Sequence, residues 1–205
     1  MPAETRRRLK HLCLGLLAVL WFTGAVAGLW VLWAYDNKPG TSAAAPQRWP
    51  AESPLVLAAN RPTLLLVAHP QCDCTRATLG ELAEVLARTP TPPKTYVLFL
   101  RPAGFAAGWA QTDLWRMAVA LPAATVLRDD EGVEARRFGV ETSGQALLYD
   151  GRGQLIFSGG ITGSRGHGGD NPGRATLVAL LNRGQSDRSG TSVFGCPLFG
   201  PRRSS

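Results

Sequence analysis

The sequence lacks the dense basic surface, interleaved with aromatic residues, that nucleic-acid-binding proteins use to contact phosphates and bases. Its formal net charge is +7, but residues 1–11 carry four basic and one acidic side chain, and residues 184–205 carry three basic and one acidic. Only +2 of the net charge therefore falls on residues 12–183. We expect no nucleic acid among the partners of this protein.

Charge is absent altogether from one long apolar stretch, Leu12–Tyr35. As a helix rising about 1.5 Å per residue, it is long enough to span the ~30 Å hydrocarbon core of a bilayer. Basic residues cluster at 6–10 and no comparable cluster follows, which predicts a cytoplasmic N-terminus over residues 1–11. The 12–35 stretch is then a single-pass anchor in the inner (cytoplasmic) membrane, with the remaining chain on the periplasmic side. A cleaved signal peptide, with Ala25-Val26-Ala27 as its small-residue site, is the alternative.

Internal repeats and a second domain are also absent. Residues 36–53 are rich in Pro, Ala and Ser, which is typical of a linker. Residues 184–205 are rich in Gly, Ser and Arg with little periodicity, and we expect a mostly disordered tail. Residues 54–183 are enough for one domain with one hydrophobic core.

Strand-like and helix-like runs alternate through that domain. Buried strands are predicted where short apolar runs occur, and helices where apolar residues recur at helical spacing. A strong turn signal, Asp150–Gly153, predicts a hairpin between the fourth and fifth strands. The order of strands and helices predicts an α/β fold with a mixed sheet flanked by helices on both faces. The predicted elements are strands 63–68, 95–100, 124–127, 145–149 and 154–158, and helices 75–88, 112–120, 133–138 and 174–182.

Cysteine is scarce, with four in the chain, yet two of them stand one residue apart as Cys72-Asp73-Cys74. They follow the first predicted strand and open the first helix of the domain. Unpaired N–H groups and the macrodipole of a helix N-terminus favour a thiolate, which is the redox nucleophile. We therefore predict Cys72 as the nucleophile and Cys74 as the thiol that resolves it. A disulfide between residues i and i+2 would be strained and easily reduced.

Two further regions supply candidate site residues. A protonated His69 would favour the thiolate, while Asp73 opposes it; alternatively, His69 only caps the strand end through a backbone hydrogen bond. The glycine-dense stretch 159–171 carries His167 and Asp170, which are candidates for a base, a metal ligand or a substrate contact. It contains no phosphate-loop motif, and a flexible surface loop is the alternative.

The chain resembles the redoxin branch of the thioredoxin fold in its second half. The residues that carry this resemblance are Leu121-Pro122, Val126-Leu127, Asp130, Gly132, Phe138-Gly139-Val140, Leu147–Asp150 and Gly153. The run His69-Pro70-Gln71-Cys72-Asp73-Cys74-Thr75 is similar to secreted thioredoxin-like proteins sometimes called RedB. The resemblance covers about residues 54–183 and implies a membrane-tethered thioredoxin-like protein.

The resemblance also implies where a substrate binds. Thioredoxins place a cis-proline just before the hairpin strand, and that position falls at Ser143-Gly144, where no proline stands. We expect Ser143 and Gly144 to contact the substrate, together with His167 and Asp170 from a loop that borders the cysteines in this fold. Copper-delivery members use a histidine near the same position, and residues 141–144 contain none.

These observations predict an extracytoplasmic thiol–disulfide oxidoreductase with a Cys-x-Cys redox pair, no cofactor, and a thiol- or disulfide-bearing protein partner. Soft-metal carriage remains an alternative, because Cys72 and Cys74 with His69 or His167 would suit Cu(I) or zinc. A redox-inactive binding module is the second alternative function. Cys196 lies in an apolar island of the predicted tail, and it could reach back as a resolving or partner-linking thiol.

Overall fold

The structure, a computed structural model, describes residues 2–41 and 44–200. They divide into two compact units, one ending at Asn37 and one beginning at Lys38. The first unit is the helix α1, Ala3–Asp36. It contains one stretch long and apolar enough to cross a membrane, and none of that stretch is buried. By length and composition, this N-terminal helix could anchor the chain in a membrane.

The second unit contains five strands and four helices among its described residues. Their bounds are close to the predicted ones, except that β3 continues to Asp130. In chain order they are β1 (Thr63–Ala68), α2 (Asp73–Ala87), β2 (Lys94–Arg101), α3 (Asp113–Val119), β3 (Ala124–Asp130), α4 (Val133–Arg137), β4 (Gln145–Tyr149), β5 (Leu155–Gly160) and α5 (Pro172–Arg183).

The strands form one mixed sheet in the order β3-β2-β1-β4-β5. The central strand β1 runs parallel to β2 and antiparallel to β4, and β5 is antiparallel to β4. This arrangement confirms the predicted α/β class. Cys72 follows the carboxyl end of the central strand, which is the end where parallel α/β sheets place their sites.

Both faces of the sheet are covered, which explains why β1 reads as a continuous apolar run. Leu64 and Leu66 point to the face packed by α2, α3 and α5, whereas Leu65 and Val67 point to the opposite face. Every residue of β1 is buried. The position of Cys72 is therefore fixed by the best-packed element of the fold.

The predicted linker differs from the structure, because part of it packs on the second unit. Trp49 lies edge-on to Phe138 and Tyr149, with ring centroids 4.9 and 5.2 Å apart, respectively. Its backbone N–H donates to the carbonyl of Gly153 at 2.8 Å. The free energy gained by burying an indole ring exceeds the conformational entropy that a flexible linker would retain. Residues 42–43 of the predicted linker lie outside the described residues.

The predicted disordered tail also differs from the structure, which places residues 190–198 against the fold. Val193 and Leu198 are buried, at 1% and 6% exposure. Gly190 pairs in parallel with Ser158 of the edge strand β5, and Pro197 forms an antiparallel bridge with Thr142. The apolar residues of this segment are buried against the domain, which its composition alone did not indicate. Residues 201–205 lie outside the described residues.

Candidate active site

Cys72 occupies the N-cap position of α2, directly after the loop that leaves β1. Its backbone is extended, with φ −120° and ψ 120°. The side chain is 2% exposed. The backbone N–H groups of Cys74 and Thr75 act to lower the pKa of this thiol, and the Thr75 N–H donates to the Cys72 carbonyl at 2.9 Å. The predicted helix-terminal environment of Cys72 is therefore present.

A second sulfur lies against Cys72, and it belongs to Cys196. The two Sγ atoms are 2.7 Å apart, within hydrogen-bonding distance, although the residues are 124 positions apart in sequence. Both cysteines are in the free form. The carbonyl of Cys196 accepts a hydrogen bond from the backbone N–H of Ser143 at 2.9 Å, which fixes the direction in which its side chain points.

The surroundings drive the pKa values of the three sulfurs apart. Burial acts to raise the pKa of Cys72, but hydrogen bonds from the Cys196 thiol and from backbone N–H groups outweigh burial and bring the pKa below its ordinary 9.0. Burial, the hydrogen bond with Cys72 and the Cys72 charge raise the pKa of Cys196 to about 12. Burial and the Cys72 charge also raise the pKa of Cys74. The pKa of Cys72 is therefore the lowest of the three, and Cys196 is the protonated donor beside it.

His69 does not supply the positive charge that a protonated imidazole would give. Its Nδ1 accepts a hydrogen bond from the backbone N–H of Gln71 at 3.2 Å. Its ring lies edge-on to Trp109, at 5.7 Å between centroids. Burial lowers the pKa of His69 below 6.5, so that the neutral form dominates at pH 7. These contacts agree with the backbone-capping alternative.

Ser143 and Gly144 lie where the resemblance places a substrate contact. The Ser143 hydroxyl oxygen accepts from the His69 backbone N–H at 2.8 Å and lies 3.0 Å from Thr75 Oγ1. Gly144 has φ +88°, and a Cβ there would meet Thr78 Oγ1 at 2.9 Å, so glycine is required. The described chain has no cis peptide bond. The Ser143 side chain thus hydrogen-bonds both the residue that follows β1 and the first turn of α2.

The glycine-rich loop contributes a cation that the sequence analysis missed. Arg165 donates from Nη1 to the carbonyl of Gly195 at 2.5 Å. Its charge acts to lower the pKa values of Cys74 and Cys196, against burial and the neighbouring thiolate. The sequence signal was an arginine in the loop already expected to border the cysteines. Arg165 is thus a positive charge that acts on Cys74 and Cys196.

The side chains of His167 and Asp170, in the same loop, bond to groups other than the cysteines. His167 is exposed, and its Nδ1 lies 2.6 Å from the backbone carbonyl of Arg165. The fully exposed Asp170 pairs with Arg174. Arg174 in turn donates to buried Glu81 at 2.8 Å, which also accepts from the Gly169 N–H. The Glu81–Arg174 pair therefore fixes the base of the loop to α2, while the predicted substrate roles of His167 and Asp170 stay predictions.

The described residues contain no group of three or more His, Cys, Asp or Glu side chains arranged to hold a metal ion. His69 and His167 bond to backbone groups instead.

Comparison with solved structures supports the fold. The chain is similar to an uncharacterized conserved protein from Geobacillus kaustophilus, at 13% identity and a TM-score of 0.57, over 82% of this chain and 95% of that one. A mixed sheet in the order β3-β2-β1-β4-β5 with flanking helices is a thioredoxin-like fold. A secreted disulfide oxidoreductase of Mycobacterium tuberculosis, homologous to Escherichia coli DsbE, aligns at 22% identity over 48% of this chain and 68% of its own, with a TM-score of 0.37.

An exposed lipoprotein thioredoxin of Streptococcus pneumoniae aligns at 15% identity over 60% of this chain and 84% of its own, with a TM-score of 0.44. The sequence matches no protein-family model, and no curated protein matches it. The similarity to the Geobacillus kaustophilus protein describes the fold alone. The chemistry must be argued from the residues of this chain.

Proposed function

We propose that this protein is a membrane-anchored, extracytoplasmic thiol–disulfide oxidoreductase with Cys72 as its nucleophile. The observation that carries the proposal is geometric: Cys72 caps the helix α2, and the Sγ of Cys196 lies 2.7 Å from its Sγ. Cys72 caps a helix and has a lowered pKa, whereas the pKa values of Cys74 and Cys196 are raised. A thiol with a lowered pKa beside a second thiol that can attack it is an arrangement suited to disulfide exchange.

The reaction consists of two exchanges. The Cys72 thiolate attacks one sulfur of a partner disulfide and forms a mixed disulfide, while the other partner sulfur leaves as a thiolate. A second thiol of this chain then attacks Cys72 Sγ and releases the first partner sulfur. Cys74 is the second thiol of the Cys-x-Cys prediction, and Cys196 is the sulfur in contact with Cys72. The electrons are stored in the thiols, so no cofactor takes part.

Substitution of Cys72 tests this function. Cys72→Ser removes the only thiol of the cluster whose pKa is lowered. Reduction of glutathione disulfide by the pre-reduced protein should then fall to the rate of the buffer alone. Cys13→Ser, in α1, is the matched control and should leave the rate unchanged. Equal rates in wild type and Cys72→Ser would refute the oxidoreductase and favour a redox-inactive binding module.

Membrane anchoring is a separate part of the proposal, and it rests on the apolar helix α1 with its basic N-terminal end. The protein should stay with membranes after a high-salt wash, since burial of the helix in lipid does not depend on salt. Protease added outside spheroplasts should digest the domain, because the positive-inside rule places it outside. Release of a shortened, soluble form would instead support a cleaved signal peptide.

A further inference from the structure

Cys196 reaches the site on residues 190–198, which we call the covering segment. Backbone hydrogen bonds hold it at both ends. The carbonyl of Val193 accepts from the N–H of Gly40 at 2.8 Å, and the N–H of Leu198 donates to the carbonyl of Glu141 at 2.8 Å. Nearer the start of the segment, Thr191 donates from Oγ1 to the carbonyl of Gly160 at 2.7 Å. The position of Cys196 is therefore set by the fold rather than by a loose tether.

Close backbone approach at Gly195 is part of this fit. A Cβ at Gly195 would lie 1.9 Å from the carbonyl oxygen of Ser143. A Cβ on Gly160 of β5 would likewise meet the carbonyl oxygen of Ser192 at 2.6 Å. Glycine on each side lets the covering segment lie directly on the turn and strand beside the site.

The covering segment lies where a bound peptide is expected in this fold. Its residues pair antiparallel with the turn that precedes β4, with Pro197 opposite Thr142. Addition of an extended peptide to exposed backbone is a common mode of peptide recognition. Cys196 thus presents its sulfur to Cys72 as a cysteine of a bound partner would.

Cys74 is less well placed to bond with Cys72. Helix α2 begins at Asp73, so Cys74 lies in its first turn while Cys72 caps it. The Cys74 side chain also hydrogen-bonds Cys72, so distance alone does not separate the two candidate partners. A Cys72–Cys74 disulfide would close a short, strained ring, whereas the Cys196 sulfur contacts Cys72 from a distant segment without that constraint.

We infer that Cys196, and not Cys74, is the redox partner of Cys72, and that a Cys72–Cys196 disulfide fastens the covering segment over the site. The inference rests on the proposed oxidoreductase function. The Cys72 thiolate bonds to one sulfur of a substrate disulfide and breaks that disulfide. The other substrate sulfur leaves as a thiolate, which takes up a proton. Cys196 then gives up its proton and attacks Cys72 Sγ, forming the Cys72–Cys196 bond. The remaining substrate sulfur leaves as a second thiol, so two protons and two electrons pass to the substrate.

Access follows from the same geometry. Cys72 is 2% exposed while Cys196 lies against it. A substrate disulfide reaches Cys72 only when the covering segment moves aside, and the resolving step brings the segment back. The covering segment and the partner protein therefore occupy the site in turn.

The test uses the full-length protein in detergent, fully reduced and then treated with glutathione disulfide. Samples quenched with acid are digested without reductant and mapped by mass spectrometry. Wild type and Cys74→Ser should both yield a peptide pair cross-linked through Cys72 and Cys196. Cys196→Ser should retain glutathione on Cys72 and release it at least about 100-fold more slowly, since a positioned thiol far exceeds a free one in effective concentration. Circular dichroism of each variant confirms that it is folded.

The outcomes separate this pairing from the proposed function. A Cys72–Cys74 cross-link, with normal glutathione release in Cys196→Ser, overturns the pairing and leaves the oxidoreductase intact. A Cys72–Cys196 cross-link produced by a strong thiol oxidant such as diamide, without any reduction of glutathione disulfide, supports the pairing and overturns the oxidoreductase.

Discussion

Replacement of Gly195 by alanine should displace the covering segment and slow formation of the Cys72–Cys196 disulfide by about 100-fold or more. The added Cβ would lie 1.9 Å from the Ser143 carbonyl oxygen, a backbone atom that cannot turn away. Cys196 would then be held only by a flexible tether, whose effective concentration is millimolar rather than that of an oriented reactant. The backbone of Gly195 is not in the left-handed region, so alanine tests the contact alone.

The same substitution should raise the pKa of Cys72. Hydrogen bonds from the Cys196 side chain and backbone are among the causes that lower it. Their loss leaves the helix N-terminus to act alone against burial. Thiolate absorbance at 240 nm, titrated against pH in Cys74→Ser and Cys74→Ser/Gly195→Ala, measures the change, and the step assigned to Cys72 should move toward higher pH.

Gly200→Ala is the matched control for this experiment. It changes glycine to alanine in the same region of the chain, but its Cβ would meet no atom within 4 Å. It should leave both the disulfide rate and the Cys72 titration unchanged. A wild-type rate in Gly195→Ala would show that the covering segment is not held at the site by this contact.

Glu81→Gln should lower the free energy of unfolding by about 3 kcal/mol, at the lower end of the 3–5 kcal/mol found when one partner of a buried ion pair is removed. Glu81 is 4% exposed and accepts hydrogen bonds from Gly169, Asn171 and Arg174. The substitution keeps the size of the side chain but leaves Arg174 buried without that negative charge. The exposed Asp170 still pairs with Arg174, which limits the loss.

Glu84→Gln, one turn further along α2, provides the comparison. Its partner is Arg88, at 3.1 Å, and both side chains are more than half exposed. Such surface pairs contribute at most about 1 kcal/mol. Resistance to proteolysis at increasing urea concentration measures both variants. Equal losses in Glu81→Gln and Glu84→Gln would contradict a special role for the buried pair in holding the glycine-rich loop.

If the loop loosens in Glu81→Gln, Arg165 loses its fixed position as well. Arg165 binds the Gly195 carbonyl from this loop, and its charge acts on Cys74 and Cys196. The buried ion pair is thus connected to the sulfur cluster through the backbone of one loop. Its removal should affect disulfide exchange in the direction of the Gly195 substitution, although less strongly.

Features that depend on neighbouring residues could be predicted from the sequence. The uncharged stretch 12–35 predicted an apolar helix, and the structure has α1 over Ala3–Asp36. The apolar run at Thr63–Ala68 predicted a buried strand, and the turn at Asp150–Gly153 predicted a hairpin, both at the observed positions. Periodicity and turn chemistry act over a few residues, which is why they can be read locally. The helix-capping position of Cys72 followed from the same local pattern.

The groups that surround Cys72 are set by tertiary packing and could not be predicted from the sequence. Cys196 lies 124 residues away in sequence, and no local pattern carries the register that brings its sulfur within 2.7 Å. That register arises from backbone bonds and glycine contacts between residues 190–198 and the sheet edge. The charge near the sulfurs likewise comes from Arg165 rather than His69, because the fold satisfies the imidazole with a backbone N–H and buries it. Such contacts depend on the packing of distant segments, which composition and spacing do not contain.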